Sequence, residues 1–213
     1  MGTPTAHPPG GRRRGGNMFI QIIEGKCTRH DELRELASKW REEAGRGAVG
    51  WLGGTYGFTD DDRFVGVVRF ESREAAEANS RRPEQSQWAE KMMAIMDGPV
   101  EFHDCNDVTL MMDGGSDSAG FVQIIRGRID DPSKLKELMG DTDMLHEMRP
   151  EILGATLAIE EDGTFTETIA FTDEASARKG EQLEPPEEVR SVLDSVMAGA
   201  TFYDLHHPWF ESA

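Results

Sequence analysis

The segment Phe19-Ile-Gln-Ile-Ile-Glu-Gly25 returns 102 residues later as Phe121-Val-Gln-Ile-Ile-Arg-Gly127, and a repeat of this kind constrains the whole architecture. Leu33, Glu35 and Leu36 return at the same spacing as Leu135, Glu137 and Leu138. The match continues at a spacing of 101, pairing Leu52-Gly53 with Leu153-Gly154, Thr55 with Thr156, and Phe64 to Phe70 with Phe165 to Phe171. It closes at 100, with Phe102 and Asp104 against Phe202 and Asp204. Single-residue drifts of this kind are loop deletions. The chain reads as two copies of one unit, residues 18–113 and 120–213, joined by a Gly/Ser-rich linker, 114–119, of flexible composition. Residues 1–17 are rich in Pro and Gly and nearly devoid of apolar side chains, so they are expected to be disordered.

Within one unit the order of periods predicts the elements. Phe19 to Glu24 is an apolar run of strand length. After a capping region at Thr28 to Asp31, Leu33, Leu36, Ala37 and Trp40 recur at helical spacing. Val49 to Phe58 and Arg63 to Phe70 flank Thr59-Asp-Asp-Asp62 and predict a hairpin. Ser72 and Thr172 are placed to cap a second helix, which Arg82-Pro83 and Glu184-Pro-Pro186 interrupt. A last strand is expected from Val100 to about Met111, and in the second copy from Ala200 to about Leu205. The order β-α-β-β-α-β is ferredoxin-like, and the class is α+β. Helices cover one face of such a sheet, so the two sheets are expected to pack together through their other faces as an intramolecular pair, with Ile20, Ile22, Val65 and Val67 between them. The same strand order leads to the expectation that Cys27 and Cys105 approach each other.

Charge and composition narrow the function. The chain of 213 residues carries 40 acidic and 23 basic side chains, a net charge of −17, which argues against nucleic-acid or anionic-membrane partners. No apolar run approaches the length needed to span a bilayer. With only two cysteines and no N-terminal apolar core, a cytoplasmic protein is expected. Metal-ligand spacings, a P-loop and nucleophile-elbow or dinucleotide-binding glycine patterns are all absent. His103-Asp-Cys105 and His206-His207 alternate to opposite sides of their strands, and the acidic loop at 60–62 lacks a calcium-loop pattern.

The stretch Phe70-Glu-Ser-Arg-Glu-Ala-Ala-Glu-Ala-Asn-Ser-Arg-Arg-Pro-Glu-Gln-Ser-Gln-Trp88, set in this architecture, resembles the strand-to-helix segment of the dimeric α/β-barrel superfamily, in its antibiotic-biosynthesis monooxygenase-like group, with two units fused. The resemblance covers nearly all of residues 18–213. It implies a pocket between each sheet and its helices, and oxygenation of an electron-rich aromatic or polycyclic molecule without a cofactor. A related branch binds and degrades heme, but where many relatives carry a His this chain has Asn79. A monomer holding both halves of the barrel is implied, with further self-association possible.

The two copies serve as each other's control. Tyr56 stands opposite Leu157, Arg69 opposite Ala170, Asn79 opposite Gly180, Trp51 opposite Ile152 and Trp88 opposite Glu188. These differences assign a site to the first copy. Asn79, Arg69 and Tyr56 are the candidate catalytic residues, and Trp88, Trp51, Met92 and Gln21 the candidates for binding the substrate. Against this, Trp40 and Trp51 lie on apolar stripes that suit a core, and Gln21 recurs as Gln123, which suits a shared structural hydrogen bond. The two readings that remain are an oxygenase acting on a small aromatic molecule and a non-catalytic binding protein of the same fold.

Overall fold

The computed structural model describes residues 18–140 and 142–213, so the expected disorder of 1–17 lies outside the described residues. The first unit runs β1 (Phe19–Lys26), α1 (His30–Glu43), β2 (Trp51–Phe58), β3 (Arg63–Phe70), α2 (Arg73–Ser80), α3 (Pro83–Ile95), β4 (Glu101–Cys105) and β5 (Asp107–Met111). The second runs β6 (Phe121–Arg128), α4 (Ser133–Gly140), α5 (Thr142–Met148), β7 (Ile152–Ile159), β8 (Thr164–Phe171), α6 (Glu174–Gly180), α7 (Glu187–Met197), β9 (Thr201–Leu205) and β10 (Trp209–Ser212). Ser72 caps α2 by accepting from the Ala75 amide, as expected. Its partner in the second unit is Asp173, which accepts from Ser176, and not the neighbouring Thr172.

Each unit forms an antiparallel sheet in the ferredoxin-like order, β4-β1-β3-β2 and β9-β6-β8-β7, but each sheet has a fifth strand lent by the other unit. The chain leaves β4 at Asn106 and enters the second sheet as β5 beside β7; after β9 it returns through His206-His207-Pro208 and enters the first sheet as β10 beside β2. The single last strand expected from Val100 to Met111 is therefore two strands in two sheets. The barrel-facing side chains are Cys105 before the first junction and Val108 after it, and Leu205 and Phe210 at the second, so the alternation changes phase at each switch.

The sheets meet face to face. Ile20, Ile22, Val65, Val67 and Cys105 from the first pack on Val122, Ile124, Ala158, Ala170 and Leu205 from the second. This is a dimeric α/β barrel built within one chain, and Ala119 of the linker is buried in its core. At one end of this interface sits an ion-pair network. Arg126 lies 2.8 Å from Glu160 and 3.7 Å from Glu24, which also meets Arg63 at 3.1 Å and His103 at 3.1 Å. By the repeat, Arg126 occupies in the second unit the place of Glu24 in the first, so the paired positions carry opposite charges.

The expected meeting of Cys27 and Cys105 does not occur. Cys105 pairs with Ile20 at the start of β1, whereas Cys27 follows its end. Seven residues of strand separate the two levels, about 23 Å at roughly 3.3 Å per residue. The end of β1 does lie near the start of β4, but Cys105 stands at that strand's far end. Burial pushes the Cys105 thiol up to about 12, so it is held neutral in the core.

Candidate functional site

Alternation assigns each face of the first sheet. Phe19, Gln21 and Ile23 of β1, Gly54 and Tyr56 of β2, and Val68 and Phe70 of β3 look toward the helices, while their neighbours look into the barrel. Between this face and α1, α2 and α3 lies a cavity of about 70 Å³. Trp40, Trp51, Tyr56 and Trp88 give it aromatic walls, and Met92 and Leu33 an aliphatic one. Trp40 packs on Trp51 with ring centroids 4.7 Å apart.

Two glycines make room for Tyr56. A Cβ on Gly54 would stand 2.0 Å from the phenol oxygen, and one on Gly66, its partner across the strands, 3.1 Å from the ring. The ring therefore lies flat along the sheet, stacked on Trp209 at 5.6 Å. Burial raises the Tyr56 phenol far above its usual range, with Arg69 opposing and Glu211 adding to the shift, so the hydroxyl is neutral.

Most polar groups of the wall are already bonded. The Trp40 indole donates to Gln85 at 2.8 Å, the Trp88 indole to the Leu36 carbonyl at 3.3 Å, and Arg82 to the Asn79 side-chain oxygen at 3.0 Å. Gln21 donates to Asp104 at 2.9 Å and Gln123 to Asp204 at 3.0 Å. This repeated pair explains why Gln and Asp recur in both units, and marks the Gln21 bond as structural. The Asn79 amide nitrogen, the Tyr56 hydroxyl and the Glu211 carboxylate have no such bond among the described residues.

The structure thus gathers Tyr56, Asn79, Trp88, Trp51, Met92 and Gln21 around one cavity. Arg69 is not among them. It points to the other face of β3, donates to Thr55 at 3.0 Å, and lines a separate cleft with Asp113, Asp117 and Ser212. Its neighbours Val68 and Phe70 face the helices, so strand alternation turns Arg69 away. The assignment of Arg69 to the pocket is corrected accordingly.

The residues that the sequence reading missed are Trp209 and Glu211. They come from the second unit but enter the first sheet on β10, where Trp209 pairs with Tyr56 and Glu211 with Gly54. Pairing in register places them on the same face as their partners, and Glu211 lines the cavity. Desolvation raises the Glu211 carboxyl above its usual range, opposed by Arg41. A strand lent across the barrel leaves no local signal beyond the apolar pair Trp209-Phe210 after a proline.

Among the described residues one group of metal-ligand side chains, Glu24, Glu101 and His103, lies at the barrel interface. There Arg63 and Arg126 already neutralise Glu24, so the group functions as an ion-pair network. The cavity itself has no His or Cys in its lining.

No family profile matches the sequence, and no curated protein sequence matches it. Solved structures do. A candidate monooxygenase from Lactobacillus acidophilus NCFM superposes with a TM-score of 0.69 at 11% identity, over 92% of this chain and 98% of the other. A candidate monooxygenase from Fusobacterium nucleatum gives 0.69 at 11% identity, over 92% and 95%. An anthrone oxidase-like protein gives 0.61 at 12% identity, over 93% and 94%. At these identities the likeness is one of fold, and it extends over both units of the chain. Among the described residues no helix is long and apolar enough to cross a membrane.

Proposed function

We propose that the first repeat holds a small aromatic molecule between its sheet and helices and promotes its oxygenation without a cofactor. The observation that carries this reading is the one cavity wall on which Trp51, Tyr56 and Trp88 converge with the Asn79 amide, all at positions where the second repeat has a different residue. The full-length structural likeness to an anthrone oxidase-like protein supports the substrate class. In this reading the tryptophans and Met92 clasp the ring system, and the Asn79 amide and Tyr56 hydroxyl donate to an oxyanion as it develops. The cavity of about 70 Å³ is below the roughly 300–1,000 Å³ of ordinary ligand sites, so a polycyclic ligand enters only as Trp88 and α3 move outward.

A second reading is a binding protein without chemistry. It is favoured by the number of wall groups tied into structural hydrogen bonds, which leaves few free to act on a substrate. Incubation with a panel of anthrones and quinols, with and without oxygen, separates the two. Oxygen uptake above the buffer rate that depends on the protein and falls in Asn79→Ala is expected for the enzyme. Binding with no uptake across the panel leaves the binding protein.

A further inference from the structure

The cavity of the first repeat differs from the equivalent space of the second in one position that no aromatic comparison reveals. β10 brings Glu211 beside Gly54, and β5 brings Met111 beside Ala155 at the corresponding place in the second sheet. Met111 is 3% exposed and belongs to an apolar core. A strand that needs only to seal a sheet edge is served by the methionine. Glu211 in the same place is part-exposed, its carboxyl only partly withdrawn from water. Glu211 has no hydrogen bond or ion pair among the described residues, and it lines the same cavity as Tyr56. Among the described residues the cation that acts on it, Arg41, is not within ion-pair distance, and Asp117 adds repulsion. With Arg69 on the other face of the sheet, no Lys, Arg or His lines this cavity.

A site with an unpaired carboxylate and no cation discriminates among aromatic ligands by their polar group. An aromatic carboxylate brings a second negative charge into a poorly solvated space, where like charges repel more strongly than in water. An ether offers no proton. A hydroxyl can donate to the carboxylate in a charge-assisted hydrogen bond, the stronger kind. We infer that the pocket selects neutral hydroxyaromatic ligands, which donate their O–H to Glu211, and that the second repeat thereby supplies the specificity of the first repeat's site. This inference rests on the reading of the cavity as an aromatic site and adds the class of ligand that enters it.

Equilibrium dialysis of the full chain against 2-naphthol, 2-methoxynaphthalene and 2-naphthoate tests it. The wild type is expected to bind 2-naphthol roughly tenfold or more tightly than the ether, and the carboxylate most weakly. Glu211→Gln removes the charge and is expected to weaken 2-naphthol while strengthening 2-naphthoate, narrowing the ratio between them by roughly tenfold. Equal binding of all three probes by the wild type, or an unchanged ratio in a Glu211→Gln protein that melts normally, overturns the assignment of Glu211. Failure of all three to bind overturns instead the aromatic site on which it rests. Should Glu211→Gln fail to fold, the ranking of the three probes on the wild type still decides.

Discussion

The helix-facing sides of the two sheets began as the same surface and have diverged into a cavity and a core. In the first repeat four positions on or beside this face are small, Ala48, Gly50, Gly54 and Gly66, the last two directly against Tyr56. Their counterparts are Arg149, Glu151, Ala155 and Glu167. Arg149 and Glu151 form an ion pair in the space that a side chain at Gly180 would need, and Gly180 is the counterpart of Asn79. Leu157, fully buried, replaces Tyr56. A pocket in this fold is thus made by removing side chains from the sheet as much as by adding aromatic ones to the helices, and the second repeat shows what fills the space when they are kept.

The largest test of this contrast is at the lent strands. Trp209 packs on Tyr56, Phe58 and Phe64 and under the Arg34 guanidinium, whereas its counterpart beside Leu157 is Thr109. Trp209→Ala is expected to destabilise the chain by about 4 kcal/mol, the usual range for truncating a packed Trp. Thr109→Ala is expected to cost under about 1 kcal/mol. Denaturant unfolding of both variants checks the pair, and equal losses would remove the asymmetry.

Glu167 sharpens the comparison from the other side. It is 8% exposed, without a partner among the described residues, and burial alone raises its carboxyl from 4.5 to about 7. A carboxyl raised by folding leaves the protein most stable below its unfolded value, and that stability is lost as the pH rises through about 7. The loss is up to about 3 kcal/mol above the window. Glu167→Gln is therefore expected to raise the melting temperature at pH 8 by several degrees and to change it little at pH 4. A gain of equal size at both values would mean that the charge is not the cause.

Smaller effects are expected within the cavity. Trp88→Ala should weaken 2-naphthol binding by about tenfold, worth roughly 1.4 kcal/mol, because it removes one aromatic wall. Smallest of all is Arg69→Ala, which should leave the affinities of 2-naphthol and 2-naphthoate within about twofold of wild type, since the sheet separates Arg69 from the ligand. A selective loss of 2-naphthoate in dialysis would return Arg69 to the site.

How far these features were legible in the sequence follows from where their signals lie. The repeat reports the unit, its strand order and the apolar faces that meet, because each depends on periodicity or on a match between two segments. Six of the seven proposed site residues share one cavity, five of them at positions that differ between the copies, with Gln21, repeated as Gln123, the sixth. Arg69 also differs between copies, yet its alternation with Val68 and Phe70 sets it on the other side. Cys27 and Cys105 lie apart because β4 ends at Cys105, which stands at the far end of a strand whose antiparallel direction the repeat does report. The exchange of β5 and β10 shows in the sequence only as a change of phase, between Cys105 and Val108 and between Leu205 and Phe210, which a bulge or a loop would produce equally well, and with it the reach of Glu211 into the first repeat was hidden.

The reversal of charge between Glu24 and Arg126 bears on the moment when the chain is made. The first repeat leaves the ribosome before the second exists, with its barrel face uncovered, and the nearest identical surface belongs to a neighbouring nascent chain. Were two first repeats to close on each other about the same axis, Glu24 would meet Glu24 where Arg126 should stand, with no cation from the opposing unit to offset either. Each Glu24 would keep only the Arg63 of its own unit, so such a union lacks one cation that the second repeat supplies, and the charge pattern favours the partner that arrives about a hundred residues later on the same chain.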